Sequence, residues 1–416
     1  MTDERRWYAG VDWASQSHHV FLTDRDGRKL GEKVFRHGGE GLADMATWLM
    51  AASGADDPGL IHVAIEVPHG PVVETLIERR FGVHAINPKQ MDRFRDRFTL
   101  AGAKDDSRDA ETMASALRTD PRCFRRLAAG DPIVIELREW SRITEDLGAE
   151  RIRLTNRMRE QLRRYFPALL GLDSDLGAPW LLDLWEAAPT PGKAARIRET
   201  TVARILKRHR IRRFDAAHVL SVLREPAVTV ADGTTRAAQA HIITLLARIR
   251  LLNRQIDDAH RQLDRLTAQL AQSGETEPGQ LKQHDATILA SLPGVGRIVL
   301  ATLLAEAWDA LQRRDHAALR SLTGVAPITK RSGKSRIVIR RQACHPRLEN
   351  AMYHWARVAV QRDAVSRAKY TALRTRGKTH GRALRPVADR LLNVACAMLK
   401  AGASFHPSQA VGKTPC

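Results

Sequence analysis

Between residues 245 and 270 the apolar side chains fall at Leu245, Ile249, Leu252, Ile256, Ala259, Leu263, Leu266 and Leu270, in steps of 4-3-4-3-4-3-4. This spacing keeps one stripe on one side of a helix, the seam of a coiled coil. A poorer version runs over Ile133–Phe166 through Leu137, Trp140, Leu147, Leu154 and Met158. At 1.5 Å per residue it predicts a second helix of roughly 50 Å. The stripes can meet within one chain, as an antiparallel hairpin, or between two copies, and the spacing allows both.

The seam divides the chain. Its 416 residues have room for two or three domains, and three are expected, at 1–125, 126–280 and 281–416. Residues 171–235, between the two long helices, carry Pro, Gly and short apolar patches, which predicts an inserted group of small helices. Ala271–Gly279 is the best linker. The first domain opens on alternating strands at Tyr8–Trp13, His19–Thr23 and Lys29–Phe35, with a turn at Asp24–Gly27. A helix at Leu42–Met50, a buried strand at Ile61–Val67, a helix at Gly70–Arg80, a strand at Val83–Ile86 and a helix at Lys104–Leu117 follow. A three-stranded meander followed by alternating helix and strand is a mixed α/β sheet of the RNase H type. From Leu281 onward the chain is again mostly helical. Breaks fall at Leu292-Pro-Gly-Val-Gly296 and in an irregular basic region, Gly324–Arg341.

Charge separates the same three parts. Of 67 Lys/Arg and 47 Asp/Glu, residues 281–416 hold 24 basic against seven acidic, a balance of +17, while residues 1–125 hold 18 against 20. A field of one sign over the last third attracts phosphate and releases its counterions, so the partner implied is a nucleic acid. With 5% aromatic residues a broad base-stacking platform is not indicated. The cysteines Cys123, Cys344, Cys396 and Cys416 are scattered, which argues against structural zinc and a disulfide framework. The first residues lack an apolar signal segment, and runs such as Ile298–Ala305 are too short to span a bilayer, so a cytoplasmic protein is expected.

Four carboxylates stand out against this background. Asp12 lies in the strand Tyr8–Trp13 and Glu66 near the end of His62–Val67, where a charge amid apolar residues needs a partner or a metal. Asp106 and Asp109 stand at i, i+3 on one helix face, with Asp105 as an alternative to Asp106. Converging carboxylates from separate elements suit two Mg²⁺ ions clamping the attacking and leaving oxygens of a phosphoryl transfer. Singly, each acid is more often solvated or salt-bridged. Far downstream, Ser332-Gly333 sits among Lys330, Arg331, Lys334, Arg336, Arg340 and Arg341. A serine there can attack a phosphodiester and conserve its energy as a phosphoserine. Taken alone, such a loop is more often a phosphate-binding turn, and Ser335 competes for the role. Gly294 and Gly296 open the turn before Arg297–Ala307 in the manner of a helix-hairpin-helix, letting backbone N–H groups meet a phosphate.

Together these residues make the chain similar, over nearly its whole length, to insertion-sequence transposases of the IS110 family. The family's DEDD motif is matched by Asp12 in Gly10-Val-Asp-Trp13, by Glu66, and by Asp106 and Asp109 in Lys104-Asp-Asp-Ser-Arg-Asp-Ala110, where Asp105 replaces the usual Thr. Its C-terminal signature is matched by Pro293–Gly296, by Gly324-Val-Ala-Pro327 with Val for Leu, and by Ser332-Gly333. The resemblance implies a RuvC-like first domain, a helical coiled-coil middle and a mostly helical C-terminal transposase domain. It implies Mg²⁺ (or Mn²⁺) at the acidic site and Ser332 as nucleophile. It further implies strand exchange by a dimer or tetramer through a circular DNA intermediate, and, in some members, a structured guide RNA pairing with element and target DNA. The competing expectation is a RuvC-like, structure-specific metal-dependent nuclease in which the serine region only binds phosphate.

Overall fold

A computed structural model describes residues 6–98, 105–127, 130–272, 285–333 and 335–406. They fall into two compact units, 1–130 and 131–416. Lys104, Lys334, Cys416 and most of the expected linker at 271–279 lie outside the described residues.

The first unit is built on a six-stranded sheet of order β3-β2-β1-β4-β5-β6, with β1 Trp7–Trp13, β2 Ser17–Thr23, β3 Lys29–Arg36, β4 Ile61–Ile65, β5 Gly82–Ala85 and the short β6 Arg125–Arg126. β1, β2 and β3 form an antiparallel meander, while β4 runs parallel to β1 and β5 parallel to β4. Four helices cover the sheet: α1 Gly39–Ser53, α2 Pro71–Glu78, α3 Pro88–Phe98 and α4 Asp106–Thr119. The period-2 alternation of the strands assigns the faces. Ala9, Val11, Val20, Leu22, Val63 and Ile65 pack with Leu42, Met45 and Leu49 of α1 and Val72 and Leu76 of α2. Ala64 packs on the other face with Met91 of α3 and Met113 and Leu117 of α4, and Phe21 packs there with Ala110 and Ala114.

The helix α3 is absent from the pattern expected above, because Met91-Asp-Arg-Phe-Arg-Asp-Arg97 carries more charge than an apolar stripe tolerates. Its start was nevertheless marked. Pro88 occupies the first turn, where a missing N–H costs nothing, and the Asn87 side chain accepts from the Lys89 N–H at 3.0 Å.

The second unit holds two long helices, α5 Pro132–Tyr165 and α10 Asp232–Gln272, with α6 Pro179–Ala187, α7 Pro191–Arg196, α8 Glu199–Arg208 and α9 Ala216–Leu223 between them. Arg265 bonds Glu136, and Arg248 meets Glu150 at 3.2 Å, so sequence position falls along α10 as it rises along α5. The long helices therefore pack antiparallel within the chain. Leu245, Ile249, Leu252, Ala259, Leu263, Leu266 and Leu270 of the seam are buried. One half of the pair shares a core with α6–α9, centred on Trp180, Trp185 and Tyr165. The other half shares a core with the C-terminal helices.

Those helices are α11 Asp285–Ser291, α12 Arg297–Glu306, α13 Trp308–Gln312, α14 His316–Leu322, α15 Pro346–Arg362, α16 Ala364–Thr375 and α17 His380–Ala401. Region 324–341, expected to be irregular, contains an antiparallel hairpin, β7 Ile328–Ser332 and β8 Ser335–Ile339. Its β-branched residues (Ile328, Thr329, Ile337, Val338, Ile339) favour extended backbone. Gly333 takes the left-handed conformation, φ 54°, that a tight reversal needs. No described helix is long and apolar enough to cross a membrane.

Candidate active site

The register of two parallel strands begins the site. Val11 pairs with Ile65, so Asp12 and Glu66 each stand one residue beyond that pair, at the carboxyl ends of neighbouring strands. Parity sends both toward the face covered by α4, since Asp12 shares it with Gly10 and Glu66 with Ala64. Gly10 brings the helix in: a Cβ there would stand 1.9 Å from the Ala110 carbonyl oxygen and 2.8 Å from the Ala114 nitrogen. Only glycine permits that approach, which carries the first turn of α4, with Asp106 and Asp109, over the end of β1. Asp105 is used otherwise, as the N-cap whose side chain accepts from the Ser107 N–H at 3.3 Å.

Electrostatics record the convergence. Burial pushes the Asp12 carboxyl up to about 6, and the negative charges of Asp109, Asp106 and Glu66 push in the same direction. Asp109 is itself buried, at 8% exposure. All four acids thus act on one place in the first unit.

Two further groups complete this place, and neither was among the residues singled out from sequence. Arg95 of α3 donates from Nε to Asp109 Oδ1 at 2.6 Å and from Nη2 to Asp109 Oδ2 at 2.9 Å. Its Nη1 reaches Asp92 at 2.6 Å, and Nη2 stands 3.9 Å from Glu66 Oε2. Glu32 of β3 accepts from the Ser107 hydroxyl, pairs with His19, and meets Lys29 Nζ at 2.6 Å. The hydrogen bonds from Lys29 and Ser107 hold its carboxyl down at about 2, against a smaller opposing effect of burial. Ser107 thereby ties the first turn of α4 to β3.

As oxygen donors the four carboxylates suit a hard divalent ion, and their mutual repulsion is the imbalance such an ion relieves. Among the described residues, however, no three His, Cys, Asp or Glu side chains stand as a ready-made metal cage. Both oxygens of Asp109 are taken by Arg95.

The serine region belongs to the second unit. Ser332 is exposed at the end of β7, opposite Ser335. Side chains alternate along a strand, so Lys330 lies on the same side as Ser332, whereas the cross-strand pair Arg331 and Arg336 shares the other side. Like charges in that position repel unless an anion lies between or beside them. Arg340 pairs with Glu349, and Arg341 donates to the Ala326 carbonyl at 3.3 Å. Among the described residues no carboxylate or imidazole hydrogen-bonds Ser332.

In the Pro-Gly-Val-Gly turn, Gly294 faces inward: at φ 86°, a Cβ on it would meet the Ala359 nitrogen at 2.7 Å. The Trp355 indole donates to the Pro293 carbonyl at 3.0 Å. The Cα side of Gly294 therefore packs against α15. Gly296, the N-cap of α12, has open space around it. A further basic cluster escaped sequence reasoning: Arg210, Arg212, Arg213 and His209 line, together with Asp173, a cavity of about 540 Å³ beside Trp180, and Arg213 pairs with Asp173 and His209 with Asp183. The run Lys207-Arg-His-Arg-Ile-Arg-Arg213 was the available signal.

Clustered carboxylates at the carboxyl ends of parallel strands, joined in one chain to a basic hairpin, suit the class of proteins that process DNA. The comparisons narrow the class. A DEDD transposase model of the IS110 type matches residues 9–167, and the model for the "Transposase IS116/IS110/IS902 family" matches residues 286–371. The mini-circle putative transposase for IS117 of Streptomyces coelicolor is 31% identical over 92% of both chains. A protein of insertion element IS110 from the same organism is 32% identical over 74% of both. The putative transposase y4uE of Sinorhizobium fredii is 81% identical over 216 residues, 52% of this chain and 60% of that relative. The chain belongs to the IS116/IS110/IS902 family of insertion-sequence transposases.

Proposed function

We propose that this transposase cuts and rejoins insertion-element DNA through Ser332, assisted by a divalent-metal site formed by Asp12, Glu66, Asp106 and Asp109 on a RuvC-like domain. The observation that carries the metal half of this reading is the convergence of four carboxylates on one place. Mg²⁺ or Mn²⁺ bound there would supply positive charge to the oxygens that gain negative charge during phosphoryl transfer. Ser332 Oγ forms an ester with the scissile phosphorus as one P–O bond to deoxyribose breaks. The serine proton passes to a carboxylate of the acidic site, and the released sugar oxygen takes up a proton. Attack by another hydroxyl end restores a phosphodiester and frees the serine. Lys330, on the face of Ser332, holds the phosphate, while Arg331, Lys334, Arg336, Arg340, Arg341 and the Gly294–Gly296 turn bind flanking backbone.

The division at 1–125, 126–280 and 281–416 becomes one of labour: acidic site, helical middle with its coiled-coil seam, and serine domain. A dimer or tetramer, in which one copy's acidic site serves another's serine, meets the need for several cuts. The partners are double-stranded element ends and target DNA; a structured non-coding guide RNA, which some members of the family use, is the further partner to test. The setting is the cytoplasm, at the nucleoid.

Covalent capture tests the chemistry. Wild-type protein incubated with element-end DNA and Mg²⁺, then denatured, yields a protein–DNA adduct. Ser332→Ala retains binding and loses the adduct, and Asp12→Ala loses it too. Free cut ends with Ser332→Ala at the wild-type rate would instead establish the nuclease reading. For the RNA, protein purified from cells carrying the whole element retains an RNase-sensitive species; its absence refutes that partner.

A further inference from the structure

We infer that Arg95 is a positioning residue that stands in for the divalent ion: its guanidinium holds Asp109 and Glu66 in the metal-free protein and must release them when the ion binds. This inference rests on the reading of the four acids as a metal site. The geometry is specific. A planar fork reaches both oxygens of one buried carboxylate at 2.6 and 2.9 Å and lies 3.9 Å from the next. A guanidinium is the side chain best shaped for such bidentate pairing, and it stays charged at any working pH. Asp92, one turn earlier on α3, takes the remaining Nη1 at 2.6 Å and holds the fork from behind.

The substitution is incomplete, and its incompleteness gives it a function. One positive charge, already shared with Asp92, faces the four carboxylates of the site. It satisfies Asp109 fully and Glu66 at a distance, and among the described residues no Arg95 hydrogen bond reaches Asp12. A buried carboxylate without a cation would be costly, so Arg95 lets the acids assemble before any metal arrives. A divalent ion can compete because it serves more of the acids at once. The same oxygens of Asp109 cannot serve both, so each cation weakens the other's hold, and the coupling is reciprocal. Glu66, already 3.9 Å away, is released more easily than Asp109.

A Mn²⁺ titration of the full-length protein, followed by the loss of the free-ion paramagnetic signal, tests this. Asp12→Asn is run in parallel to mark the ion that belongs to this site. Arg95→Gln is expected to bind that Mn²⁺ about tenfold or more tightly than wild type, a change worth about 1.4 kcal/mol. Its melting temperature falls without metal, and Mn²⁺ raises it further than it raises wild type. A merely structural arginine would lower the melting temperature without changing metal affinity. Arg95→Lys keeps the charge but loses the fork, falls between the two, and carries the test if Arg95→Gln does not fold. Equal affinities in wild type, Arg95→Gln and Arg95→Lys overturn the role of Arg95 and leave the metal site standing. Weaker binding in both variants overturns it as well. If neither wild type nor variants bind an ion sensitive to Asp12→Asn, the metal reading fails and takes this inference with it.

Discussion

Asp12 sits at the end of a strand whose neighbours are apolar, with three other carboxylates acting on it. Its carboxyl ionises at about 6 in the fold, against 3.8 in an unfolded chain. Between these values the unfolded chain gives up a proton that the folded one keeps, so this residue's contribution to stability falls as pH rises from about 4 through 6. A shift of that size corresponds to about 2–3 kcal/mol. Asp12→Asn should therefore make the metal-free protein more stable than wild type at pH 7.5, while the two converge near pH 4. Denaturant unfolding in EDTA at both pH values checks it, and equal stability at pH 7.5 would show that Asp12 is not strained by its neighbours. The trade of stability for charge is the mark of a site kept for chemistry. Asp12 and Glu66 were legible in the sequence because a charge in an apolar strand is conspicuous. Arg95 was not, because one arginine in a stretch already full of charge carries no mark. Its importance arises only when α3 and α4 pack on the same face of the sheet.

At the level of elements, the approach of α4 to β1 decides whether the four acids meet. Gly10→Ala places a methyl group where the Ala110 carbonyl oxygen lies 1.9 Å away, and backbone cannot yield as a side-chain tip does. The expected cost is more than about 2 kcal/mol, within the upper range for overpacking. Loss of adduct formation should accompany it, even in protein that remains folded. A thermal melt and the capture assay together check both effects. A variant of wild-type stability and activity would mean that α4 does not sit where the glycine allows. The hairpin β7–β8 and the long-helix pair show what patterns leave out. Clustered cations hid five β-branched residues and a turn glycine, and the hairpin looked irregular. The heptad stripe of α10 was plain, but a stripe states only that it is covered. The Arg265–Glu136 and Arg248–Glu150 pairs identify α5 of the same chain as one cover.

Across the whole molecule, charge is the property that acts at a distance. With +17 gathered in residues 281–416, affinity for duplex DNA of arbitrary sequence should fall by on the order of 10³ between 50 and 200 mM salt, as for proteins neutralising six or more phosphates. Replacing Lys330, Arg331 and Arg336 together by Gln should reduce the slope of log K against log salt by about 0.9 for each phosphate no longer neutralised. An unchanged slope, read by anisotropy over that salt range, would place the phosphate-binding surface elsewhere, with the arginines at 210–213 the first alternative. Those arginines belong to the lobe of α6–α9, which leaves the main body at the end of α5 and returns at the start of α10. Because the two long helices run antiparallel, that exit and that return lie side by side. The two family models leave 168–285 between them, a stretch that holds α10 as well as this lobe. A lobe whose entry and exit adjoin is a cassette. Evolution can lengthen, exchange or delete it without rethreading the rest of the chain, and a protein engineer has the same freedom, provided that the apolar ends of α5 and α10 beneath it are given a new cover.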